Sequence, residues 1–435
     1  MRQPPDTACS EILSCSSQFL PESVSVRFDK SRWESLLKLE LRCMCPHAME
    51  KVTGLNELSH HDFAAALGSL KATITARAPE IEAARNVPAD LVAQMTSAGI
   101  FRMLLPKAYG GLELDLPEIL EVMSGLARCD ASVGWTTMIG AGSALFSTML
   151  PRHAFERIYG SHPDTIVAGT TQLRGTIEQR DGHWRAHGQW PFASVCRHAS
   201  WMLGFCRYVP DDATEEGPTQ VRVVLLPAER WNILDTWHVP GLKGTGSDDI
   251  ALDAIIDPDT DMFDLTQPDR WAAGPLYAGP PQMFVLMHAA ISLGIAEGAV
   301  DDLLAIARSG RRQERSTAPM RDTEAFQRDL GEVHAHVRAA RAALMQQTRS
   351  HWQHAREGTL ATDARLVEGS QTAIWTVSTC RSVVDKCFQL AGSAGLYEQS
   401  PLQRRLRDIH VAAQHNLVLP RHYHKAGKLL VDQVG

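Results

Sequence analysis

Three short stretches of the chain concentrate the residue types that could hold a cofactor or do chemistry. Two of them, 188–194 and 237–247, combine glycines with aromatic rings and hydroxyl side chains. The third covers 389–395 and is followed by 407–415, a segment that ends on His415. Tight β-turns would account for the glycines of the first two stretches. Aromatic rings beside hydroxyls and amides would also suit a flat heteroaromatic cofactor, so both interpretations stay open.

The sequence lacks the motifs of several other kinds of functional site. There is no phosphate-binding G-x-x-x-x-G-K-[ST] loop and no G-x-S-x-G turn. The segment 140–145 is similar to a dinucleotide fingerprint, but without the third glycine and the preceding strand it indicates helix-packing glycines. The paired histidines lack the spacing of a zinc enzyme, and we interpret them as solvated polar residues: His60 and His61, His334 and His336, His422 and His424. No metal site is expected.

Periodicity predicts three blocks of secondary structure that must position these stretches. Helical spacing runs from about His60 to Leu150, and short alternating strands then predict an antiparallel β unit of about 100 residues. Helical spacing returns after Pro280 and is typical of an antiparallel bundle, with long helices over 289–307, 323–349, 361–391 and 402–418. We therefore divide the chain into an extension at 1–55, an N-terminal helical domain at 56–160, a central β domain at 161–268 and a C-terminal helical bundle at 269–435.

Composition narrows the class of protein. The 435 residues are 44% hydrophobic, which excludes bulk disorder, and carry a net charge of −7, which argues against a nucleic-acid binder. No apolar run reaches the roughly 20 residues of a membrane helix, and we see no secretory signal. The nine cysteines are odd in number and include no C-x-x-C pair, so reduced thiols and a cytoplasmic location are expected.

Taken together and in order, these motifs resemble the acyl-CoA dehydrogenase superfamily. The closer similarity is to its flavin-dependent monooxygenase branch, the oxygenase components of two-component aromatic hydroxylases. It runs from about residue 60 to the end and is carried by four motifs. They are L-P-x-x-Y-G-G at 105–111, G-x-W-x-x-x-S at 188–194, G-L-x-G-T-G-S at 241–247, and P-L-Q-R-x-x-R-D at 401–408. The G-L-x-G-T-G-S motif is the most specific of the four.

The resemblance implies an α+β, mostly α fold with an N-terminal helical domain, a central antiparallel β domain and a C-terminal four-helix bundle, usually in a homotetramer. Flavin would lie between the β domain and the bundle. Phe192 and Ser194 would line its isoalloxazine ring, with Ser194 near N5, and Thr170 would face it from a strand. The phosphate side of a neighbouring subunit's flavin would be reached by Arg315, Gln389, Gly392 and Ser393. The alternative for Gly392 is the end of a helix.

His415 lies at the position that distinguishes the acyl-CoA dehydrogenases from the hydroxylase branch of the superfamily. Acyl-CoA dehydrogenases take a substrate α-proton with a glutamate that is often in this stretch, whereas 413–417 holds no acid. The hydroxylase branch places a histidine beside the flavin, whose reduced form reacts with O2 to give a C4a-hydroperoxide. An imidazole can hydrogen-bond that peroxide, or orient and deprotonate the substrate. The structural alternative is a histidine satisfied by its neighbours on a helix face.

One departure from the branch bears on the substrate. Many of its phenol hydroxylases carry a second histidine on the helix after a Gly-Trp motif, but here Gly134 and Trp135 are followed by Ser143 at the aligned position. The resemblance therefore implies a substrate that needs no such base, such as an indole-like ring or an amine nitrogen. Trp135 and Ser143 are candidate pocket residues, and the alternative for Trp135 is plain core.

The function that the resemblance implies is hydroxylation of a small aromatic or heteroaromatic substrate by a reduced-flavin-dependent monooxygenase. A separate NAD(P)H:flavin reductase would supply FADH2 or FMNH2, and molecular oxygen would be the co-substrate. Three alternatives remain at this point: an acyl-CoA dehydrogenase-type oxidoreductase, an amine N-hydroxylase of the same fold, and a scaffold without flavin turnover. Neither nucleic acid nor a membrane is an expected partner.

Overall fold

A computed structural model of the chain describes residues 60–209, 220–312 and 317–432, and these residues form ten α-helices and seven strands. The predicted extension at 1–55 and Arg315 lie outside the described residues. Five helices come first: α1 His60–Ala84, α2 Ala89–Ser97, α3 Leu116–Cys129, α4 Ala131–Ser147 and α5 Arg152–Tyr159. The strands follow: β1 Val167–Arg180, β2 His183–Trp190, β3 Trp201–Val209, β4 Gln220–Pro227, β5 Asn232–Leu234, β6 Asp249–Ile255 and β7 Met262–Phe263.

The last five helices are α6 Pro280–Arg308, α7 Glu324–Arg356, α8 Asp363–Ala391, α9 Pro401–Ala412 and α10 Tyr423–Asp432. Near the start of the chain, α1 continues through Pro79, where the sequence predicts an interruption or a kink. Ile74 and Ile81 are fully buried on either side of this proline. Their packing against the core stabilises the helix across a residue that cannot donate a backbone hydrogen bond.

One sheet contains all seven strands, in the order β5-β6-β2-β1-β3-β4-β7. Its pairs are antiparallel, as the sequence predicts, except β1 with β3, which run parallel. The reason lies in the connections. A tight turn at Asp181 and Gly182, both at positive φ, returns β2 along one edge of β1. The segment 191–200 then crosses to the other edge of β1, so β3 starts at the same end as β1.

The tryptophan of the G-x-W motif is a core residue. Trp190 is fully buried and donates its indole N–H to the Phe205 carbonyl at 2.8 Å. Three glycines surround its ring, because a Cβ on Gly175, Gly188 or Gly204 would come within 2.9 Å of Trp190 ring atoms. The strands can therefore close around this ring only where side chains are missing.

Helix α6 is the central element of the C-terminal bundle and contacts α3, α4, α7, α8 and α9. Among the described residues it is the only helix long and apolar enough to cross a membrane, but its apolar window is buried throughout within the protein. The sequence predicts a last bundle helix over 402–418, whereas α9 ends at Ala412. His415 therefore lies in the turn after the helix, and the interpretation as a helix-face residue is wrong.

The loop 237–247, which contains the G-L-x-G-T-G-S motif, docks directly onto α9. The Leu242 amide donates to a carboxylate oxygen of buried Asp408 at 2.6 Å. Arg407 donates to the Pro240 carbonyl and forms an ion pair with Glu82 at 2.5 Å. Gly241 is required for this approach, because a Cβ there would lie 2.2 Å from the Arg407 carbonyl oxygen. The contact joins the β domain to the bundle.

Replacing Gly241 with alanine should push the loop away from α9. We expect Gly241→Ala to lower the free energy of unfolding by about 1–3 kcal/mol, because the added methyl meets rigid backbone. Gly68→Ala is the matched control: Gly68 is exposed within α1, and a Cβ there has no atom within 4 Å. That control should be neutral or stabilising, by up to about 1 kcal/mol. Urea denaturation of both variants measures the difference, and equal effects would contradict the docking account.

Candidate active site

A cavity of about 850 Å³ lies where the helical domain, the β sheet and the bundle meet. Its wall takes residues from α4, from β1 and β3, from the turn after β2, from the loop 237–247 and from the segment after α9. These residues include Trp135, Ile139, Ser143, Phe146, Thr170, Phe192, Ser194, Trp237, Thr245, Ser247, Phe284 and His415. Six of the residues predicted from sequence to serve the site therefore line one space: Trp135, Ser143, Thr170, Phe192, Ser194 and His415.

The turn after β2 presents an aromatic ring and a hydroxyl to this cavity. Phe192 and Val195 adopt positive φ values of 65° and 63°, a conformation that non-glycine residues adopt only under local constraint. The constraint comes from the segment just before β6, because the Ala193 amide donates to the Asp248 carbonyl and the Val195 amide to the Thr245 carbonyl, both at 3.0 Å. Phe192 consequently leaves 57% of its surface exposed at the cavity, which is unusual for phenylalanine.

Ser194 belongs to a chain of buried hydrogen bonds that spans two domains. Its hydroxyl accepts the Trp135 indole N–H at 3.1 Å and lies 2.7 Å from the Ser247 hydroxyl. Ser247 is in turn 2.7 Å from the Thr245 hydroxyl, which donates to the Leu242 carbonyl at 2.8 Å. We call Trp135, Ser194, Ser247 and Thr245 the hydroxyl relay. The resemblance implies a role for Trp135 only as pocket wall or core, and the structure adds this hydrogen bond.

His415 faces the cavity from the turn after α9. Its Nδ1 accepts the Leu417 amide N–H at 3.4 Å, which places the ring proton of the neutral imidazole on Nε2. Burial lowers the pKa of His415 to about 4, so the ring is neutral at pH 7. The edge of Trp135 packs against this ring, with centroids 5.7 Å apart. His415 is therefore a fixed, uncharged group beside the hydroxyl relay.

His288 is a member of the site that the sequence analysis missed. It lies on α6, is 2% exposed, and stacks face to face on His415 with ring centroids 3.9 Å apart. Neither of its ring nitrogens has a hydrogen-bond partner within the described residues, and burial holds its pKa well below the usual value. The only signal in the sequence is one histidine within an otherwise apolar helical run. His288 and Trp135 together hold the plane of the His415 ring.

Thr170 and Ser143 both line the cavity. Thr170 lies on β1 beside a break in the register with β3. The Ser143 hydroxyl donates to the Gly140 carbonyl at 2.6 Å and accepts the Val167 amide at 3.2 Å. These two hydrogen bonds let Ser143 join α4 to β1. A neutral hydroxyl is too weak a base to replace a catalytic histidine.

Three of the predicted phosphate-side residues, Gln389, Gly392 and Ser393, do not line the cavity of their own chain. Gln389 and Gly392 are exposed at the end of α8, where Gly392 adopts a φ of 56° and ends the helix. Ser393 is also exposed and accepts a hydrogen bond from Arg311 at 2.6 Å. These positions fit the helix-end interpretation, and their contact with a neighbouring subunit's flavin stays a prediction, as does that of Arg315.

The charged side chains among the described residues of the cavity lining are all arginines. No Asp, Glu or Lys is found among the described residues that line it, whereas Arg174, Arg222 and Arg421 are present. No group of acidic, histidine or cysteine side chains that could bind a metal occurs in the described ranges. The described lining therefore suits an uncharged or anionic ligand and includes no carboxylate base.

The low pKa of His415 should make the protein sensitive to acid. The unfolded chain takes up a proton near pH 6.5, but the folded chain does so only near pH 4. Because the unfolded state binds more protons in this window, the free energy of unfolding falls as the pH falls from 6.5 to 4. His415→Gln removes this contribution. Urea denaturation should show the wild type losing up to about 3 kcal/mol relative to the variant between pH 7 and pH 4; a pH-independent difference would contradict the assignment.

Two parts of the chain match models of one protein family. Residues 60–158 match the family model described as acyl-CoA dehydrogenase, N-terminal domain, and residues 286–420 match acyl-CoA dehydrogenase, C-terminal domain. An indole-3-acetate monooxygenase from Pseudomonas putida is 28% identical over 358 residues, covering 81% of this chain and 90% of that protein. The oxygenase component of an FADH(2)-dependent resorcinol hydroxylase from a Rhizobium species is 28% identical over 363 residues, covering 78% and 86%.

Two solved structures share the fold. XiaF from a Streptomyces species, in complex with FADH2 and glycerol, has a TM-score of 0.78 at 23% identity and covers 84% of this chain and 94% of its own. The 3-HSA hydroxylase from Rhodococcus sp. RHA1 has a TM-score of 0.79 at 24% identity, covering 86% and 97%. The predicted fold is confirmed: the chain belongs to the acyl-CoA dehydrogenase superfamily, in its flavin-dependent monooxygenase branch.

Proposed function

We propose that this protein is a reduced-flavin-dependent monooxygenase that hydroxylates an aromatic or heteroaromatic substrate. One observation carries the proposal: an uncharged imidazole, His415, and a hydroxyl, Ser194, face the same cavity, which has no carboxylate among its described lining residues. Proton abstraction from carbon needs a base in contact with the substrate. This pair instead offers hydrogen bonds, which is what an oxygen-transferring site needs.

The residues of the cavity fit a flavin. Its volume of about 850 Å³ is large enough for a tricyclic ring and a small substrate together. Phe192 and Trp237 offer apolar ring surface at one wall, and Arg174 and Arg421 match the anionic phosphates that FADH2 and FMNH2 both carry. The third arginine, Arg222, is already paired with Asp264 at 3.0 Å. Reduced flavin, when bound, would supply the two electrons that activate O2, so that one oxygen atom of O2 enters the substrate and the other leaves as water.

His415 acts in this scheme as a hydrogen-bond donor. Its Nδ1 is occupied by the Leu417 amide, so the group available to the cavity is Nε2–H. Because the ring is neutral at pH 7, it donates without adding a positive charge to an enclosed site. Stacking on His288 and the edge contact with Trp135 fix the direction of this donor. His415 would therefore hold an oxygen atom of the activated O2 by a hydrogen bond and keep water away from it.

The substrate side of the cavity favours an aromatic ring over an amine. Ile139, Phe146 and Phe284 form an apolar wall with Trp135, and the Ser143 hydroxyl proton is already engaged. A protonated amine would require a carboxylate partner, and none is found among the described lining residues. The relatives named for indole-3-acetate and resorcinol support an electron-rich ring as the substrate class.

An acyl-CoA dehydrogenase is the second candidate, and the shared fold is the observation that favours it. Its base would have to be Asp or Glu, but the turn that could supply it contains Gln414, His415 and Asn416. Anaerobic bleaching of bound oxidised flavin by an acyl-CoA would support this candidate. We expect no bleaching.

The partners follow from the same proposal. A separate NAD(P)H:flavin reductase would supply the reduced flavin, which the names of relatives as oxygenase components support. A homotetramer would cover Leu396 and Tyr397, which are each 66% exposed beside Gly392 and Ser393. The five cysteines in the described part of the chain are free thiols, which fits a cytoplasmic location.

The reaction is tested with the purified protein, a flavin reductase, NADH and 18O2. Indole-3-acetate, indole and resorcinol serve as substrates. We expect a product that is heavier by one 18O atom and forms only when the reductase is present. Loss of substrate without 18O in the product, or product formation from oxidised flavin alone, would contradict the proposed function.

The role of His415 is tested by His415→Ala. We expect product formation to fall at least tenfold while H2O2 release rises, because an oxygen that is not held is lost as peroxide. His410→Ala is the matched control, since His410 is exposed on α9 and bonded to Asp385 at 2.8 Å, outside the cavity lining. It should leave the ratio of product to H2O2 unchanged. An unchanged ratio in His415→Ala would remove this residue from the mechanism.

A further inference from the structure

The hydroxyl relay has a fixed direction, because both of its ends are chemically one-sided. At one end stands the indole N–H of Trp135, which can only donate. At the other stands the Leu242 carbonyl, which can only accept, and the Thr245 hydroxyl oxygen lies 2.8 Å from it. Two oxygens at that distance need a proton between them, so the Thr245 proton points to Leu242.

Each step of the relay then follows by counting protons. The Thr245 hydroxyl donates its one proton to the Leu242 carbonyl. Its oxygen therefore accepts the proton of the Ser247 hydroxyl, whose oxygen lies 2.7 Å away. Ser247 therefore accepts the proton of Ser194, also at 2.7 Å. Ser194 accepts from Trp135 and donates to Ser247, which leaves its oxygen with one lone pair and no proton for the cavity. The relay is buried, with Ser194, Ser247 and Thr245 at 7%, 3% and 1% exposure, so water cannot rearrange it cheaply.

An oxygen that can only accept distinguishes the two redox forms of flavin. Reduced flavin carries a hydrogen on N5, whereas oxidised flavin has a bare, hydrogen-bond-accepting nitrogen there. The free lone pair of the Ser194 oxygen can accept a hydrogen bond from the N5–H of reduced flavin. Facing the bare N5 of oxidised flavin, it forms no hydrogen bond, and the two lone pairs repel each other.

We propose that Ser247 and Thr245 are positioning residues that restrict Ser194 to acceptance toward the cavity and so make the site select reduced over oxidised flavin. This inference rests on the proposed function, because it needs flavin N5 near Ser194. Selectivity of this kind lets the protein capture flavin from a reductase and release it after oxidation. The direction of three hydroxyl protons, set by the Leu242 carbonyl at the end of the relay, thus decides which redox form is held.

Two substitutions test the relay without changing Ser194. Ser247→Ala removes the acceptor of the Ser194 proton, which becomes free to turn toward the cavity. Thr245→Val leaves the Ser247 proton without its acceptor, so Ser247 donates to Ser194 and the Ser194 proton is again freed. Ser292→Ala is the matched control: Ser292 is a buried hydroxyl on α6 that bonds to the His288 carbonyl and is absent from the cavity lining.

Dissociation constants of FAD and FMN, each oxidised and reduced, are measured anaerobically by equilibrium dialysis with the full chain. We expect the wild type to bind the reduced forms more tightly, and both relay variants to narrow that preference about tenfold, mainly through tighter binding of oxidised flavin. Ser292→Ala should keep the wild-type ratio. If the wild type binds neither form, the proposed function fails. If it binds flavin with no redox preference, or if both variants keep the wild-type ratio within about twofold, the relay inference is overturned while the proposed function stands.

Discussion

The hydrogen bond between the Leu242 amide and the buried carboxylate of Asp408 connects the two halves of the site. On one side of it, the loop 237–247 carries Thr245 and Ser247 to Ser194. On the other side, α9 leads directly to His415. Burial and the nearby charge of Asp130 raise the pKa of Asp408 to about 7, so its charged form is held at an energetic cost that the hydrogen bond from Leu242 offsets in part. This contact and the hydrogen bond from Trp135 to Ser194 together hold the imidazole and the hydroxyl at one cavity.

Much of this arrangement was predictable because motifs and periods are local properties. The glycine-rich stretches, the order of helices and strands, and the pairing of Ser194 with His415 all follow from the residues and the family resemblance. The parallel pairing of β1 with β3 does not, because it depends on how the segment 191–200 crosses the sheet. The end of α9 at Ala412 was missed for a related reason: apolar residues continue at helical spacing to Val418, although the chain turns to present His415.

The features that escaped sequence analysis are those that join distant parts of the chain. His288 stacks on His415 only because α6 and α9 pack together, and 127 positions of sequence separate the two rings. The hydroxyl relay joins Trp135 to Thr245 across a domain boundary. Strain is a second such feature: Phe192, Val195 and Leu242 all adopt positive φ around the cavity, although none is a glycine. Long-range packing holds them there, and no local pattern reports it.

The most direct test of the account follows the reduced flavin–protein complex after rapid mixing with O2. A site that excludes water and holds oxygen with the neutral His415 donor should produce a transient absorbance spectrum, distinct from both reduced and oxidised flavin, before oxidised flavin forms. A single step from reduced to oxidised flavin, at the rate of free flavin in solution, would contradict the account.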